Sequence, residues 1–143
     1  MSFSVILPTL NEKGHILKLI GEISNIFKTQ KKIFEIIVVD DNSTDGTYET
    51  VKKFEKNNTF LKTVLRLNKT KNLADSINDG ISISKYENII WMDADFQHPP
   101  KYINDFINKS QNFDVVISSR FLKESDRYFN NEELKKEINE NQS

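Results

Sequence analysis

The chain has 143 residues, a length that suits one domain with a hydrophobic core. Its net charge of −1 gives no general attraction for polyanions, so nucleic acid is excluded as the expected partner. The absence of cysteine excludes disulfides, thiolate metal sites and a cysteine nucleophile, and is compatible with the cytoplasm. No segment has the roughly 18 apolar residues of a membrane-spanning helix, and the N-terminal apolar run is too short for a signal peptide. These features predict a soluble protein.

Short apolar segments alternate with helical patterns along the chain. The predicted strands are residues 3–7, 34–39, 61–67, 88–92 and 113–118. The predicted helices carry apolar positions within residues 16–27, 48–54, 73–84 and 102–107. The second strand is apolar on both faces, as expected for a buried parallel strand. This alternation predicts an α/β fold with a mostly parallel sheet and helices on both faces.

The alternation of apolar segments and helical patterns ends near the C-terminus. Residues 1–122 are therefore predicted to form the core, and residues 123–143 a polar tail or a short helix. In the last twelve residues only Leu134 and Ile138 are apolar and at helical spacing.

Asp93-Ala94-Asp95 follows the fourth predicted strand. Residues i and i+2 of an extended chain point the same way, so the two carboxylates can converge. Like charges held this close are unfavourable unless a cation joins them. Mg²⁺ and Mn²⁺ prefer oxygen ligands and often bind one or two carboxylates together with substrate phosphates. The motif thus indicates a metal–diphosphate site, and the alternative is a pair of solvated loop acids.

Three polar loops follow predicted strands, at residues 8–12, 40–43 and 93–97. Ligands of open α/β sheets bind beyond the carboxyl ends of the strands. We therefore expect the three loops to share one ligand site.

The loops read L-P-T-L-N-E at residues 7–12, V-D-D-N-S-T-D-G-T at 39–47 and D-A-D-F-Q-H-P-P at 93–100. This set resembles the inverting GT-A glycosyltransferases of family 2, and within them the polyprenyl-phosphate (dolichol-phosphate) sugar synthases. Those enzymes carry P-T-x-N-E, V-D-D-x-S-x-D-G-T and D-A-D-L-Q-H-P-P. The resemblance covers about residues 4–120 and implies a GT-A fold. Family members normally continue further, so we expect the acceptor-binding region of the family to be missing from this chain.

The resemblance implies a role for each loop in binding a nucleotide sugar. Pro8, Leu10 and Glu12 would contact the base and ribose. Asp41 would accept a hydrogen bond from the nucleobase, with Val39 beside it. Alternatively, or in addition, residues 11–12 can cap the following helix.

Asp40, in contrast to Asp41, is expected to order the turn after the second strand.

In the third loop, Asp95 and Gln97 match the family's metal contacts. Asp93 would hold the ribose or the metal's water shell, and Ala94 would allow close approach. The metal would be Mn²⁺ or Mg²⁺. His98 is expected to mark the entry to the next helix rather than to bind the metal.

Two further segments resemble the family. Residues 72–81 resemble G-L-x-x-A-[IL]-x-x-G-[IF], with Arg66 upstream and Asn72 in place of the usual glycine. Asn tolerates the left-handed conformation, so we expect the turn to be kept. Residues 114–121 resemble D-V-V-x-G-S-R-[YF]. Arg120 would face the donor phosphates or the acceptor phosphate, or form a structural ion pair.

The implied reaction transfers a sugar, with inversion, from a donor such as GDP-mannose or UDP-glucose to a polyprenyl phosphate. Asp93, Asp95 and Arg120 would be the catalytic residues. The protein would be cytoplasmic, with peripheral contact at the cytosolic face of a membrane. The alternative function is a non-catalytic module that only binds the nucleotide sugar.

Other enzyme classes that share single motifs do not fit. A haloacid-dehalogenase phosphatase needs its D-x-D-x-[TV] motif near the first strand. A receiver domain has its Asp pair at the first strand. A nucleotide-fold dehydrogenase needs G-x-G-x-x-G, which the chain lacks.

Overall fold

The computed structural model describes residues 1–118 and 126–129. Helices and strands alternate through most of this part of the chain, as predicted. A short 3₁₀ turn at Pro100–Tyr102 precedes the fourth helix. The elements are β1 (Ser2–Thr9), α1 (Ile16–Thr29), β2 (Ile33–Asp40), α2 (Thr47–Glu55), β3 (Leu61–Leu65), α3 (Leu73–Ser82), β4 (Asn88–Trp91), α4 (Ile103–Lys109), β5 (Val115–Ser118) and β6 (Asp126–Phe129).

Four strands form a parallel sheet in the order β3-β2-β1-β4. β1 and β2 are its central strands, paired from Ser2 with Ile33 to Thr9 with Asp40. Both are largely buried, as the apolar pattern of β2 predicted. Because all four strands run the same way, their carboxyl ends lie at one edge of the sheet.

Helices cover both faces of this sheet. On one face the Phe27 ring of α1 stacks on Phe34 of β2, with 5.0 Å between centroids, and lies 5.5 Å from Phe3 of β1. On the other face Gly80 of α3 lies against Ile6, so close that a Cβ at Gly80 would be 2.6 Å from Ile6 Cγ2. Phe3 and Ile6 are an odd number of residues apart on one strand, so they point to opposite faces. The predicted arrangement of sheet and helices is confirmed.

The chain divides into two compact units, residues 1–101 and a second unit that begins at Tyr102. In the second unit, β5 pairs antiparallel with β6, in a two-stranded sheet separate from the parallel one. β6 lies in the stretch predicted as a tail or short helix, so for these four residues that prediction was wrong. A strand this short shows no alternation in sequence, and pairing with β5 specifies it instead. Residues 119–125 and 130–143 lie outside the described residues.

Within the part of the chain that the structure describes, no helix is both long enough and apolar enough to span a bilayer.

Candidate functional site

A cleft of about 300 Å³ lies at the carboxyl edge of the parallel sheet. It is formed by the segments that follow β1, β2 and β4, together with the start of α3. Most of the residues expected to bind the nucleotide sugar line it, namely Pro8, Leu10, Glu12, Asp41, Asn72, Asp93, Ala94 and Asp95. The three polar loops thus meet, as the sequence predicted.

Two of the described site residues are not on the wall of this cleft. The Val39 side chain is fully buried in a core cluster with Ile6 and Ile37. Gln97 is exposed, and its backbone N–H donates to Asp95 Oδ1 at 3.0 Å. Arg120 lies outside the described residues.

Asp40 orders the loop after β2. Its carboxylate is fully buried and accepts hydrogen bonds from Thr9 Oγ1 at 2.8 Å and from Ser43 Oγ at 2.6 Å. The backbone N–H of Ser43 also donates to it at 2.8 Å. These bonds fix the turn and tie it to β1, which confirms the role expected for Asp40.

The loop after β1 is hydrogen-bonded to the loop after β2. Asn11 has φ of 56°, and its N–H donates to Ser43 Oγ at 2.8 Å. The Asn11 side-chain oxygen accepts from Thr44 N–H at 2.9 Å, and Glu12 N–H donates to Thr47 Oγ1 at 3.0 Å. One rigid unit therefore carries both Glu12 and the segment that precedes α2.

The alternative in which residues 11–12 cap the following helix was wrong for their side chains. α1 starts at Ile16, and its N-cap residue, His15, makes no capping hydrogen bond with its side chain. Glu12 supports this turn only through its backbone carbonyl, which accepts from the N–H groups of His15 and Ile16. The Asn11 side chain is occupied by Thr44, and the Glu12 carboxylate is left on the cleft wall.

The acidic side chains of the cleft repel one another. Burial raises the pKa of Glu12, and the charges of Asp95, Asp45 and Asp93 raise it further against the opposing effect of His15. A cation bound here would offset these charges for a negative ligand such as a diphosphate.

Asp41 is held by a buried ion pair. Arg66 Nη1 donates to Asp41 Oδ1 at 2.6 Å, and Arg66 is only 3% exposed. Asp41 Oδ2 accepts from the backbone N–H of Asn72 at 2.9 Å and from Ser76 Oγ at 3.4 Å. The carboxylate that is expected to read the base is thus fixed from three directions.

Arg66 is shared with α3. Its Nε donates to Asp79 Oδ2 at 2.9 Å, and Lys69 Nζ lies 3.3 Å from the same oxygen. Burial lowers the pKa of Arg66, but hydrogen bonds and charge from Asp79 and Asp41 outweigh it and raise the pKa above its ordinary value. Arg66 therefore stays charged and links Asp79 to Asp41.

The expected left-handed turn at Asn72 was wrong. Asn72 is extended, with φ of −156°, and its side chain accepts from Asp75 N–H at 3.3 Å as the N-cap of α3. Asn is a favoured N-cap residue, so at this position it caps α3 instead of forming the turn expected for glycine. The segment before α3 still reaches the cleft, because the Asn72 N–H is bound to Asp41.

The Asp93–Gln97 loop is shaped by Phe96. Phe96 has φ of 61°, which is strained for a bulky residue. Its ring lies edge-on to His15, at 6.1 Å between centroids, and Lys18 Nζ lies 5.5 Å from the ring centre. His98 directly precedes the prolines that lead into the turn at Pro100–Tyr102, as expected, and its Nδ1 is 3.7 Å from Asp93 Oδ2.

The donor atoms fit a divalent cation that is shared with a phosphate ligand. Among residues 1–118 and 126–129, no cluster of three or more His, Asp or Glu side chains forms a complete metal site. Asp93 and Asp95 supply hard oxygen ligands on one cleft, and Mg²⁺ or Mn²⁺ commonly binds one or two carboxylates plus substrate phosphates. These two residues would hold the cation.

Four cleft residues were missed by sequence reasoning: Thr9, Lys71, Leu73 and Ser76. Ser76 stands where the family pattern has alanine, and its hydroxyl donates to Asp41. Lys71 carries the single positive charge among the described lining residues. The position of Lys71 next to Asn72 was the sequence signal that could have identified it as a cleft residue.

The family model described as glycosyl transferase family 2 matches residues 4–142. A dolichol-phosphate mannosyltransferase of Pyrococcus furiosus is 37% identical over 86% of this chain and 34% of its own length. One from Mycosarcoma maydis is 33% identical over 84% of this chain and 42% of its own. The chain therefore spans about a third to two fifths of these curated relatives.

Two solved structures share the fold. The mannosyltransferase PcManGT from Pyrobaculum calidifontis, in complex with GDP-Man and Mn²⁺, is 28% identical, with a TM-score of 0.55 over 65% of this chain and 27% of its own. S. aureus TarS 1–349, in complex with UDP, is 29% identical, with a TM-score of 0.58 over 78% of this chain and 33% of its own. With the motifs and the parallel sheet, these matches show that the chain has the GT-A fold and belongs to glycosyl transferase family 2.

Proposed function

We propose that the cleft binds a nucleotide-diphosphate sugar. Asp41 accepts a hydrogen bond from the base, and Pro8, Leu10 and Glu12 contact the base and ribose. The observation that carries this proposal is that Asp41 and the pair Asp93–Asp95 line one cleft of about 300 Å³. The complexes of PcManGT with GDP-Man and of TarS with UDP support it.

We also propose that the donor's diphosphate and a divalent cation bind together at Asp93 and Asp95, with Gln97 as a further ligand. When bound, Mn²⁺ or Mg²⁺ would offset the charge of the departing diphosphate. The acidic cleft supports this, because Glu12 and the two aspartates would otherwise repel a diphosphate. The Mn²⁺ in the PcManGT complex gives further support.

The proposed reaction transfers the sugar of GDP-mannose or UDP-glucose to a polyprenyl phosphate, with inversion. This acceptor is anionic near neutral pH, so the reaction needs positioning and charge compensation more than a strong general base. Arg120 is proposed to face one of the phosphates. The acceptor is a membrane lipid, which would bring the protein to the cytosolic membrane face. The names of the two curated relatives support this acceptor class.

Isothermal titration of the chain with GDP-mannose and UDP-glucose, with and without Mn²⁺, tests donor binding. We expect one of the two to bind, and to bind more tightly with the metal. Absence of metal-dependent binding by either nucleotide sugar would contradict the proposal.

Turnover separates the enzyme from the alternative, a module that binds the donor without reacting. The chain is incubated with the bound donor, Mn²⁺ and a short polyprenyl phosphate, and the glycolipid and free nucleotide diphosphate are measured. Product that disappears in the Asp95→Ala variant supports the enzyme. Metal-dependent binding without transfer or hydrolysis supports the module.

A further inference from the structure

Asp79 lies outside the cleft wall but is connected to it through one buried side chain. Arg66 bridges Asp79, at 2.9 Å from Nε, and Asp41, at 2.6 Å from Nη1. Asp41 lines the cleft, whereas Asp79 is not among the residues that do. Arg66 therefore gives Asp79 a direct hydrogen-bonded connection to the cleft residue Asp41.

The Arg66–Asp41 pair is joined through only one oxygen of the carboxylate. Arginine and carboxylate often pair through two parallel hydrogen bonds, which would occupy both oxygens of Asp41. Here Arg66 reaches only Oδ1, while Oδ2 accepts from Asn72 N–H and Ser76 Oγ. Asp79 holds the Nε edge of the guanidinium at 2.9 Å, while Nη1 also donates to Thr70 O at 3.4 Å and to Ser76 Oγ at 3.3 Å.

The hydrogen bonds to Asp41 leave little spare capacity. A carboxylate offers about four lone-pair positions, and three protein donors occupy three of them. A second Arg66 bond would compete with a nucleobase N–H or displace Asn72 N–H. Whether Asp41 can accept a hydrogen bond from a ligand therefore depends on the position of the Arg66 guanidinium.

We propose that Asp79 is a positioning residue for nucleotide binding: by anchoring Arg66, it keeps the Asp41 carboxylate open to the base and bound to Asn72 N–H. This proposal rests on the proposed function for its consequence, which is nucleotide affinity. Its structural core, the control of Asp41 and Asn72 by Asp79, does not depend on any ligand.

The first experiment needs no nucleotide. Amide hydrogen exchange at Asn72 is measured by NMR in the wild-type chain and in Asp79→Asn, with thermal unfolding to establish that both are folded. The proposal predicts faster exchange of the Asn72 amide in Asp79→Asn, and restoration in Asp79→Glu, which keeps the carboxylate. Unchanged exchange at Asn72 would overturn it.

Asp75→Asn is the matched control. Asp75 is the other acid on α3 near Arg66, but it is 58% exposed and lies 3.9 Å from Nη2. Asp75→Asn removes one negative charge from α3, as Asp79→Asn does, but it leaves the hydrogen bond between Arg66 Nε and Asp79 in place. We expect the Asn72 amide to exchange as in the wild type. An equal effect of both variants would assign the change to the charge of the helix and overturn the proposal.

The second experiment measures affinity for GDP and UDP with Mn²⁺. Loss of one charged hydrogen bond in the network should weaken binding roughly tenfold in Asp79→Asn, with recovery in Asp79→Glu. A lower melting temperature with unchanged affinity would show a merely structural role and overturn the proposal. If the wild type binds neither nucleotide, the proposed function fails, and exchange at Asn72 still decides whether Asp79 positions Asp41.

Discussion

Asp40 and Asp41 are adjacent, yet their carboxylates have separate sets of partners. Asp40 accepts from Thr9 of β1 and from Ser43, whereas Asp41 accepts from Arg66 at 2.6 Å and faces the cleft. Successive residues of an extended chain point in opposite directions, which separates the two groups. Asp40 thus fixes the loop that forms part of the site, and Asp41 is available to a ligand.

Removing Arg66 should destabilise the protein strongly. Arg66→Met leaves the buried Asp41 carboxylate without its counter-charge, and breaking a buried pair from one side costs about 3–5 kcal/mol. The free energy of unfolding in urea measures this cost. The double variant Arg66→Met/Asp41→Asn removes the unpaired charge and should regain a large part of the stability. A double variant no more stable than the single one would show that the charge pairing is not what holds this region.

The contact between Gly80 and Ile6 leaves no room for a side chain. Gly80→Ala would place a Cβ 2.6 Å from a buried, branched side chain, so we expect a loss of about 1–3 kcal/mol. Gly21→Ala is the matched control, because Gly21 lies within α1 and a Cβ there meets nothing within 4 Å. Alanine should stabilise that helix by about 0.5–1 kcal/mol. Equal effects in urea unfolding would contradict the packing of α3 on β1.

Stability should fall in acid as Asp79 is protonated. Burial raises the pKa of Asp79, but hydrogen bonds from Arg66 and Lys69 outweigh it and lower the pKa below 3.8. A carboxylate with a lowered pKa stabilises the fold above its unfolded pKa, and this contribution disappears as the pH falls through the folded value. The difference in unfolding free energy between wild type and Asp79→Asn should therefore shrink below about pH 4. A constant difference down to about pH 2 would contradict this ion pair.

Asp95 should matter for the metal-dependent part of ligand binding and little for stability. Its side chain is exposed, and its Oδ1 accepts a hydrogen bond from Gln97 N–H in the same loop. Asp95→Ala should weaken donor binding with Mn²⁺ by at least roughly tenfold while the melting temperature changes little. Glu49→Ala, an exposed acid on α2, is the control and should bind as the wild type does. Normal Mn²⁺-dependent binding by Asp95→Ala would remove Asp95 from the proposed metal site.

The sequence was sufficient for the strand–helix alternation and for the meeting of three loops at one sheet edge. Both follow from local patterns, since parallel strands bring their carboxyl ends together. The Asp41–Arg66 pair was not predictable in this way, because its members are 25 positions apart and belong to different elements. Nothing in the sequence around Asp41 or Arg66 indicates that these two residues pair with each other.

Two local features were also missed, for different reasons. Asn72 acts as an N-cap three residues before Asp75, which is a spacing that capping rules describe. The glycine that the family has at this position instead predicted a left-handed turn. β6 depends on its ladder with β5, and four residues are too few for the alternation that marks a strand.

The most direct test of the central claim is a crystal structure of the chain with Mn²⁺ and UDP, and a second with Mn²⁺ and GDP, with anomalous diffraction used to locate the manganese. We expect a manganese peak at the Asp95 carboxylate, next to the diphosphate, and a base whose N–H donates to Asp41. Manganese away from Asp93–Asp95, or a nucleotide bound outside this cleft in both crystals, would contradict the assignment of the site.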